Sequence, residues 1–217
     1  MVDLYCERLG PGLWAEPLNV LTNSAFLLAA WVSWRLIRRS GTPPTSQVIL
    51  IALMASIGTG SALFHTFATT WAHVLDVVPI LIFQLSFFWL YFRKVVALSF
   101  TSSTVAVGIF LMAALFSRQF PVLLNRSLIY ASALILLIGL GIYHYKAQKV
   151  EPLVLLGASG VFLLSLIFRT LDQATCSINP YGTHFLWHLL NAVVLYLGMR
   201  ALVHNWLGGA QARVGNP

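Results

Sequence analysis

Two histidines stand one helical turn apart in an apolar stretch near the end of the chain, GTHFLWHLLN. Residues four apart share one face of an α-helix, so His184 and His188 can bind the same ligand. A third histidine, His65, lies near the end of another apolar stretch. Three imidazoles with one open position form the ligand set of a catalytic zinc site. The histidines therefore predict a zinc centre with two ligands from one helix and one from another.

An acid and a hydroxyl accompany these histidines. Asp76 follows His65 by eleven residues. Ser61 precedes His65 by four residues and so lies on the same helix face. Zinc lowers the pKa of a bound water to about 7, and a nearby carboxylate can take that water's proton and deliver it to a leaving group. We assign this role to Asp76, and assign to Ser61 a hydrogen bond to the water or the developing oxyanion. The alternatives are an Asp76–His73 structural pair and a Ser61 hydroxyl bonded to its own helix.

The composition places these residues in a membrane. The chain is 59% hydrophobic and 9% charged, whereas soluble domains carry about 25% charged residues. The formal charge is +7, but the basic residues lie scattered at segment ends, without the continuous stripe of a nucleic-acid-binding surface. We therefore predict an integral membrane protein that has no nucleic-acid partner.

Seven apolar stretches have the length of about 20 residues that crosses a bilayer. They run over about 18–38, 47–67, 72–92, 96–116, 123–144, 152–170 and 183–204. The connections are short, and the sequence contains no internal repeat. Because backbone polar groups in a bilayer must be paired within their own helix, we predict an all-α, seven-transmembrane bundle that forms one domain over residues 1–217.

The basic residues predict how this bundle is oriented. One side collects Arg35, Arg38, Arg39, Arg93, Lys94, Lys146, Lys149, Arg200 and Arg213, and the other Arg8, Arg118, Arg126 and Arg169. Since cytoplasmic loops are enriched in Lys and Arg, the N-terminus lies outside and the C-terminus in the cytoplasm. At about 1.5 Å per residue, the histidines and Asp76 then share the outer third of the bilayer. The site is thus expected on the extracytoplasmic side.

Other ionisable residues have structural interpretations. His144 and His204 lie at inner helix ends, where amphipathic rings reach for lipid headgroups. Arg169 and Asp172 stand one turn apart, and this spacing predicts a local ion pair.

Taken together, the motifs resemble the alkaline ceramidase family, which belongs to a superfamily of seven-helix membrane hydrolases that includes the adiponectin-type receptors. The resemblance rests on SALFH at 61–65, on Asp76, and on HFLWH at 184–188; DLYCE, WAEPLNVLTNSAF and RTLDQATC extend it over essentially the whole chain. It implies a zinc-dependent hydrolase that cleaves ceramide, or a related N-acyl lipid, into fatty acid and amine. It also implies His65, His184 and His188 as zinc ligands, with Asp76 and Ser61 holding the water.

The resemblance further implies a calcium site in the N-terminal segment. Asp3, Glu7 and Glu16 are the candidate ligands, with Asn19 as a further oxygen donor. The match is looser here, because Leu9 stands where the family pattern calls for an oxygen ligand, and calcium takes about six to eight oxygens. The alternative is that Glu16 and Asn19 cap the first helix.

Cys6 and Cys176 match the family's cysteine positions. The predicted topology puts both outside the cytoplasm, where disulfides persist. The resemblance implies a disulfide that pins the N-terminal segment over the loop before the last helix. The alternative is a pair of unrelated thiols.

Two other functions are compatible with seven helices. The first is a heptahelical receptor or sensor with a structural zinc site, and the second is a transporter or proton relay that uses Asp76 and His73 as carriers. A receptor needs more surface outside the membrane, and a transporter shows interrupted helices or repeats. The sequence therefore favours a lipid hydrolase. Its compactness indicates a bacterial inner membrane, where another N-acyl lipid or an ester could replace ceramide as substrate.

Overall fold

Long helices carry most of the chain. The computed structural model describes residues 2–39 and 42–214, with side chains described as far as Trp206. The helices are α1 (Pro17–Thr22), α2 (Ser24–Arg38), α3 (Thr45–Phe67), α4 (Thr70–Tyr91), α5 (Phe100–Ser117), α6 (Ala131–Lys146), α7 (Val154–Thr175) and α8 (His184–Val214). A π-helical turn, Phe92–Val96, extends α4, and a 3₁₀ segment, Leu123–Tyr130, precedes α6. No strand occurs within the described ranges.

Seven segments are long and apolar enough to cross a membrane, which supports an integral, multi-pass membrane protein. They are Pro17–Arg38, Thr45–Phe67, Thr70–Val96, Phe100–Ser117, Leu123–Lys146, Val154–Thr175 and His184–Trp206. The predicted all-α, seven-span bundle is therefore confirmed. The fourth span begins later than predicted because the π-helical turn continues α4 until Ala97, whose φ of 67° ends the helix. The orientation of the termini stays a prediction.

The spanning helices form a closed ring in chain order. Each packs against the next one, and α8 returns to pack against α2. This arrangement places α3 and α8, which carry the three histidines of interest, on the two flanks of α2. Large apolar side chains of α5 such as Ile109, Met112 and Phe116 are exposed on the outside of the ring, as expected of a surface that faces lipid.

Helices α3 and α4 touch at Gly60. A Cβ on Gly60 would lie 2.0 Å from the carbonyl oxygen of Leu75. Pro79, four residues further along α4, has no N–H for that carbonyl, which therefore lacks its usual helical donor. The glycine lets the two backbones meet, and this contact brings Ser61, the next residue of α3, to the level of Asp76.

Gly60→Ala is expected to destabilise the protein and separate Ser61 from Asp76. The clashing atom belongs to the backbone of Leu75 and cannot rotate away, so the cost should reach or exceed the roughly 1–3 kcal/mol of an overpacked core. Thermal unfolding in detergent measures the effect. Gly108→Ala is the matched control, because a Cβ there meets no atom within 4 Å. Equal melting temperatures for the two variants would contradict the close contact.

His144 is a buried connector at the opposite end of the bundle. Its side chain is fully buried, and its ring bonds to the Tyr91 hydroxyl and, at 3.0 Å, to the carbonyl oxygen of Val150. The interfacial interpretation of His144 is therefore wrong, because both ring nitrogens bind protein groups. His204 is partly exposed, and its Nδ1 lies 3.6 Å from the Glu151 carboxylate.

Candidate metal centre

The three histidines singled out from the sequence form one cluster. Helix α3 brings His65, and the first turns of α8 bring His184 and His188. One ring nitrogen from each histidine can be chosen so that all three lie within 4.8 Å of one another. All three side chains are buried. The fold therefore gathers, from two helices distant in sequence, the ligand set that the spacing predicts.

Each of these histidines leaves one buried nitrogen without a hydrogen-bond partner. The atoms are Nε2 of His65, Nδ1 of His184 and Nε2 of His188. An unsatisfied buried polar atom costs about 1–3 kcal/mol, and here three such atoms share one cluster. A transition metal ion that accepts imidazole ligands would satisfy all three, and zinc is the commonest ion with this ligand set. The residues present thus fit a metal of the zinc type.

In His65 and His188, the hydrogen bond of the second ring nitrogen, Nδ1, determines which nitrogen carries the proton. Nδ1 of His188 lies 3.0 Å from Oγ1 of Thr22, whose own proton is donated to the Leu18 carbonyl at 2.7 Å. Nδ1 must therefore donate, and Nε2 keeps its lone pair. The Glu16 carboxylate accepts from Nδ1 of His65 in the same way. Both rings present a lone pair to the cluster, as metal-binding histidines do when their outer nitrogen is held by an acceptor.

Asp172 fixes the start of α8 and so places His184. Its Oδ1 accepts from the backbone N–H groups of Thr183 at 2.7 Å and His184 at 2.9 Å, and its Oδ2 accepts from the Cys6 N–H at 3.0 Å. The predicted ion pair with Arg169 is wrong, since no such pair lies within 4 Å among the described residues. The free N–H groups at a helix start need acceptors, and they take this carboxylate instead.

A disulfide fastens the N-terminal segment over the cluster. Cys6 and Cys176 are joined, with their Cα atoms 5.2 Å apart. Tyr5, the neighbour of Cys6, stacks on the His184 ring with the ring centroids 3.5 Å apart. The bridge that the resemblance implies therefore holds an aromatic ring against one candidate ligand.

Asp76 faces a cavity of about 280 Å³ beside the cluster. Tyr5, which stacks on His184, also lines this cavity. Ser61 is buried on α3, next to Gly60, where the backbones of α3 and α4 meet at Leu75 and Asp76. Asp76 forms no ion pair with His73 in the described part of the chain, although both line the cavity. The catalytic roles of Asp76 and Ser61 stay predictions.

Comparison with known families shows which family this chain belongs to. A family model described as Ceramidase matches residues 10–210. The chain belongs to the ceramidase family. The matched region contains the three clustered histidines, Asp76 and Ser61, and membership indicates a membrane hydrolase whose family acts on ceramide, a lipid. No curated protein matches the chain.

Glu7, which precedes the region matched to the ceramidase family, caps α1. Its carboxylate oxygens accept from the backbone N–H groups of Leu18 at 2.6 Å and Asn19 at 2.9 Å. Burial raises the pKa of Glu7, and these two hydrogen bonds oppose that rise. The alternative in which Glu16 caps this helix is wrong, because Glu16 makes no side-chain capping bond. Glu7, which precedes the helix by ten residues, accepts these hydrogen bonds instead of Glu16.

Glu16 holds a candidate metal ligand of this ceramidase-family protein. Its carboxylate accepts hydrogen bonds from Arg8, from Nδ2 of Asn19 at 3.0 Å, and from His65. Burial alone would raise the pKa of Glu16, but the bonds from His65 and Arg8 outweigh it, and the pKa lies below its usual value. Arg8 also donates to the carbonyl oxygen of His65 at 2.6 Å. The sequence analysis assigned Glu16 to calcium or to a helix cap and gave Arg8 no role at the site, because their partner His65 is distant in sequence.

The three carboxylates assigned to calcium do not converge. Asp3 is exposed, Glu7 caps α1 and Glu16 faces the histidines. In the described part of the chain, the histidine cluster is the only group of side chains with metal-binding geometry. Calcium bound by these residues stays a prediction.

Glu16→Gln is expected to weaken metal binding by about 10- to 100-fold, the usual effect of losing the partner of a metal-bound histidine. The neutral amide would no longer polarise the His65 ring. Competition against a chromophoric zinc chelator measures the affinity. Glu7→Gln is the matched control, because it makes the same chemical change at a carboxylate that caps α1. Equal losses in the two variants would contradict the assigned role of Glu16.

Two smaller cavities lie deeper between α4, α7 and α8, with volumes of about 60 and 40 Å³. The residues that line both are Phe83, Gln84, Phe162, Asn191 and Leu195. Tyr130 lines the smaller of the two and also the larger cavity that Asp76 faces. Tyr130 therefore lies between the larger cavity and these smaller, mostly apolar ones.

Proposed function

We propose that this protein is a zinc-dependent amide hydrolase that cleaves ceramide or a related N-acyl lipid to a free fatty acid and an amine. The observation that carries the proposal is the set of three buried, unpartnered imidazole nitrogens beside the cavity of Asp76. Membership of the ceramidase family supports a hydrolase and a lipid substrate. We treat residues 1–217 as one catalytic domain.

The metal would be held by Nε2 of His65, Nδ1 of His184 and Nε2 of His188, the atoms that lack other partners. When bound, zinc supplies a Lewis acid for the scissile carbonyl and an activated water at neutral pH. Glu16 and Thr22 keep two of the rings in the tautomer that can bind the ion. Tyr5 fixes the plane of the third ring by stacking.

Asp76 would carry the protons. Its carboxylate takes a proton from the attacking water and returns it to the departing amine. Ser61 follows Gly60, where α3 and α4 meet, and its hydroxyl can donate to the oxyanion that develops on the amide. The amine part of the lipid would then occupy the larger cavity, and the acyl chain would extend away from it toward the apolar interior or the surrounding lipid. The distribution of Lys and Arg supports a site on the extracytoplasmic side, and the compactness of the sequence favours a bacterial inner membrane.

The test uses purified protein in detergent with ceramide, with an N-acylethanolamine and with an ester of the same acyl chain. Mass spectrometry follows the release of fatty acid. We expect the amides to be cleaved, a chelator to abolish cleavage, and added zinc to restore it. Cleavage that survives the chelator would refute zinc dependence, and no cleavage of any of these lipids would refute the hydrolase. Faster cleavage of the ester would move the function to lipid esters.

A further inference from the structure

The cavity of Asp76 carries a surplus of positive charge. Arg118 follows α5, Arg126 lies in the 3₁₀ segment and Arg169 lies on α7, and all three line the cavity. Among the described residues that line it, Asp76 is the only carboxylate. A substrate with a neutral headgroup gives no reason for three arginines against one acid.

Arg169 is buried without an acidic partner. Its side chain donates to the carbonyl oxygen of Asn125 at 3.1 Å and to Oγ of Ser127 at 2.8 Å. Its guanidinium also lies over the rings of Tyr130 and Trp187, at 5.2 and 5.5 Å from their centroids. No carboxylate of the described residues lies within 4 Å of it. A buried charge that lacks a counter-charge is costly, and an anion in the cavity would supply one.

The same arginine fixes the turn that carries Arg126. Leu124, Asn125 and Arg126 have positive φ angles of 52°, 48° and 64°, which asparagine tolerates but which are unfavourable for leucine and arginine. Such backbone strain persists where the surroundings hold it, often at ligand-binding sites. Here the Arg169 bonds to Asn125 and Ser127 hold the turn. Arg126 is exposed at the cavity rim as a result.

We propose that this cavity binds an anionic group on the amine portion of the substrate, a carboxylate, phosphate or sulfonate, so that the preferred substrates are anionic N-acyl lipids. The inference rests on the proposed amide hydrolase. Arginine presents a planar fork of donors that matches the oxygens of these groups. At about 280 Å³, the cavity lies just below the range of roughly 300–1,000 Å³ that holds drug-sized ligands. That size suits a small headgroup.

The decisive comparison uses two lipids that share one acyl chain. N-palmitoylglycine ends in a carboxylate, and N-palmitoylethanolamine ends in a neutral hydroxyl of similar size. In an uncharged detergent, kcat/KM for the glycine conjugate should be at least about tenfold higher, the minimum expected of one charge-assisted hydrogen bond. The double variant Arg118→Gln/Arg126→Gln should lose about 10- to 100-fold on the glycine conjugate and little on the ethanolamide. Both arginines are exposed, so their loss should leave the fold intact.

Arg38→Gln is the control for the loss of charge, because Arg38 is exposed at the opposite end of the bundle. Dissociation constants of both lipids, for wild type and the double variant, give a readout that is independent of turnover. Tighter, arginine-dependent binding of the glycine conjugate without cleavage would support the anionic site and refute the hydrolase. Equal cleavage and equal binding of the two lipids would overturn the anionic site and leave the hydrolase standing. If inorganic phosphate inhibited the cleavage of both lipids equally, and the enzyme showed no preference between the two headgroups, the arginines would bind a free anion. That result would overturn the proposal.

Discussion

Replacing His188 with alanine is expected to abolish release of fatty acid from the N-acyl substrate. The variant would lose one of the three candidate ligands, the ring that Thr22 holds through Nδ1. The two remaining imidazoles would bind zinc weakly. Since zinc lowers the pKa of water from about 15.7 to about 7, its loss should reduce the rate by at least about 1,000-fold. The measurement is kcat/KM with mass-spectrometric detection of fatty acid.

His204→Ala is the matched control for this variant. It removes another histidine from α8, at the opposite end of the bundle, where Nδ1 lies 3.6 Å from Glu151. Its activity should stay within a fewfold of wild type. If His188→Ala retained wild-type turnover, or if His204→Ala lost as much, the histidine cluster could not be the catalytic centre.

Asp76→Asn should lower kcat by about 10²- to 10⁴-fold, the range that general acid–base catalysis contributes. The amide keeps the size of the carboxylate, but it cannot accept and return a proton. Because Asp76 lies outside the histidine cluster, the zinc content should remain that of wild type. Loss of turnover with full metal content therefore separates proton transfer from metal binding.

Glu151→Gln is the control for this change of carboxylate to amide. Glu151 pairs with Arg200 at the end of the bundle away from the histidine cluster. The turnover of the Glu151→Gln variant should therefore hardly change. A kcat for Asp76→Asn within about threefold of wild type, well outside the range expected for a lost acid–base group, would remove Asp76 from the mechanism. Loss of zinc from that variant would instead make Asp76 a ligand.

The seven spans and the histidine cluster could be predicted because each follows from local rules. Length and hydropathy suffice for a spanning helix. His184 and His188 share a helix face by their spacing alone, and His65 joins them because alternating spans bring it to the same depth. Depth alone does not show which helices are neighbours. The closed ring, in which α3 and α8 flank α2, supplies this information.

The partners of the charged side chains could not be predicted, because they depend on contacts between distant segments. Glu16 holds His65, and Asp172 joins the start of α8 to Cys6. Each choice depends on how the N-terminal segment folds back over the bundle. Local spacing suggested a helix cap for Glu16 and an ion pair for Asp172, and both suggestions were wrong. A carboxylate in a membrane protein goes to the nearest unsatisfied donors, and only the tertiary fold shows which these are.

The zinc-to-protein ratio of the wild-type chain, measured by elemental analysis after purification without added metal or chelator, tests the histidine centre most directly. One cluster of three buried imidazoles predicts about one zinc per chain. Active protein that contains no transition metal would contradict the proposed centre.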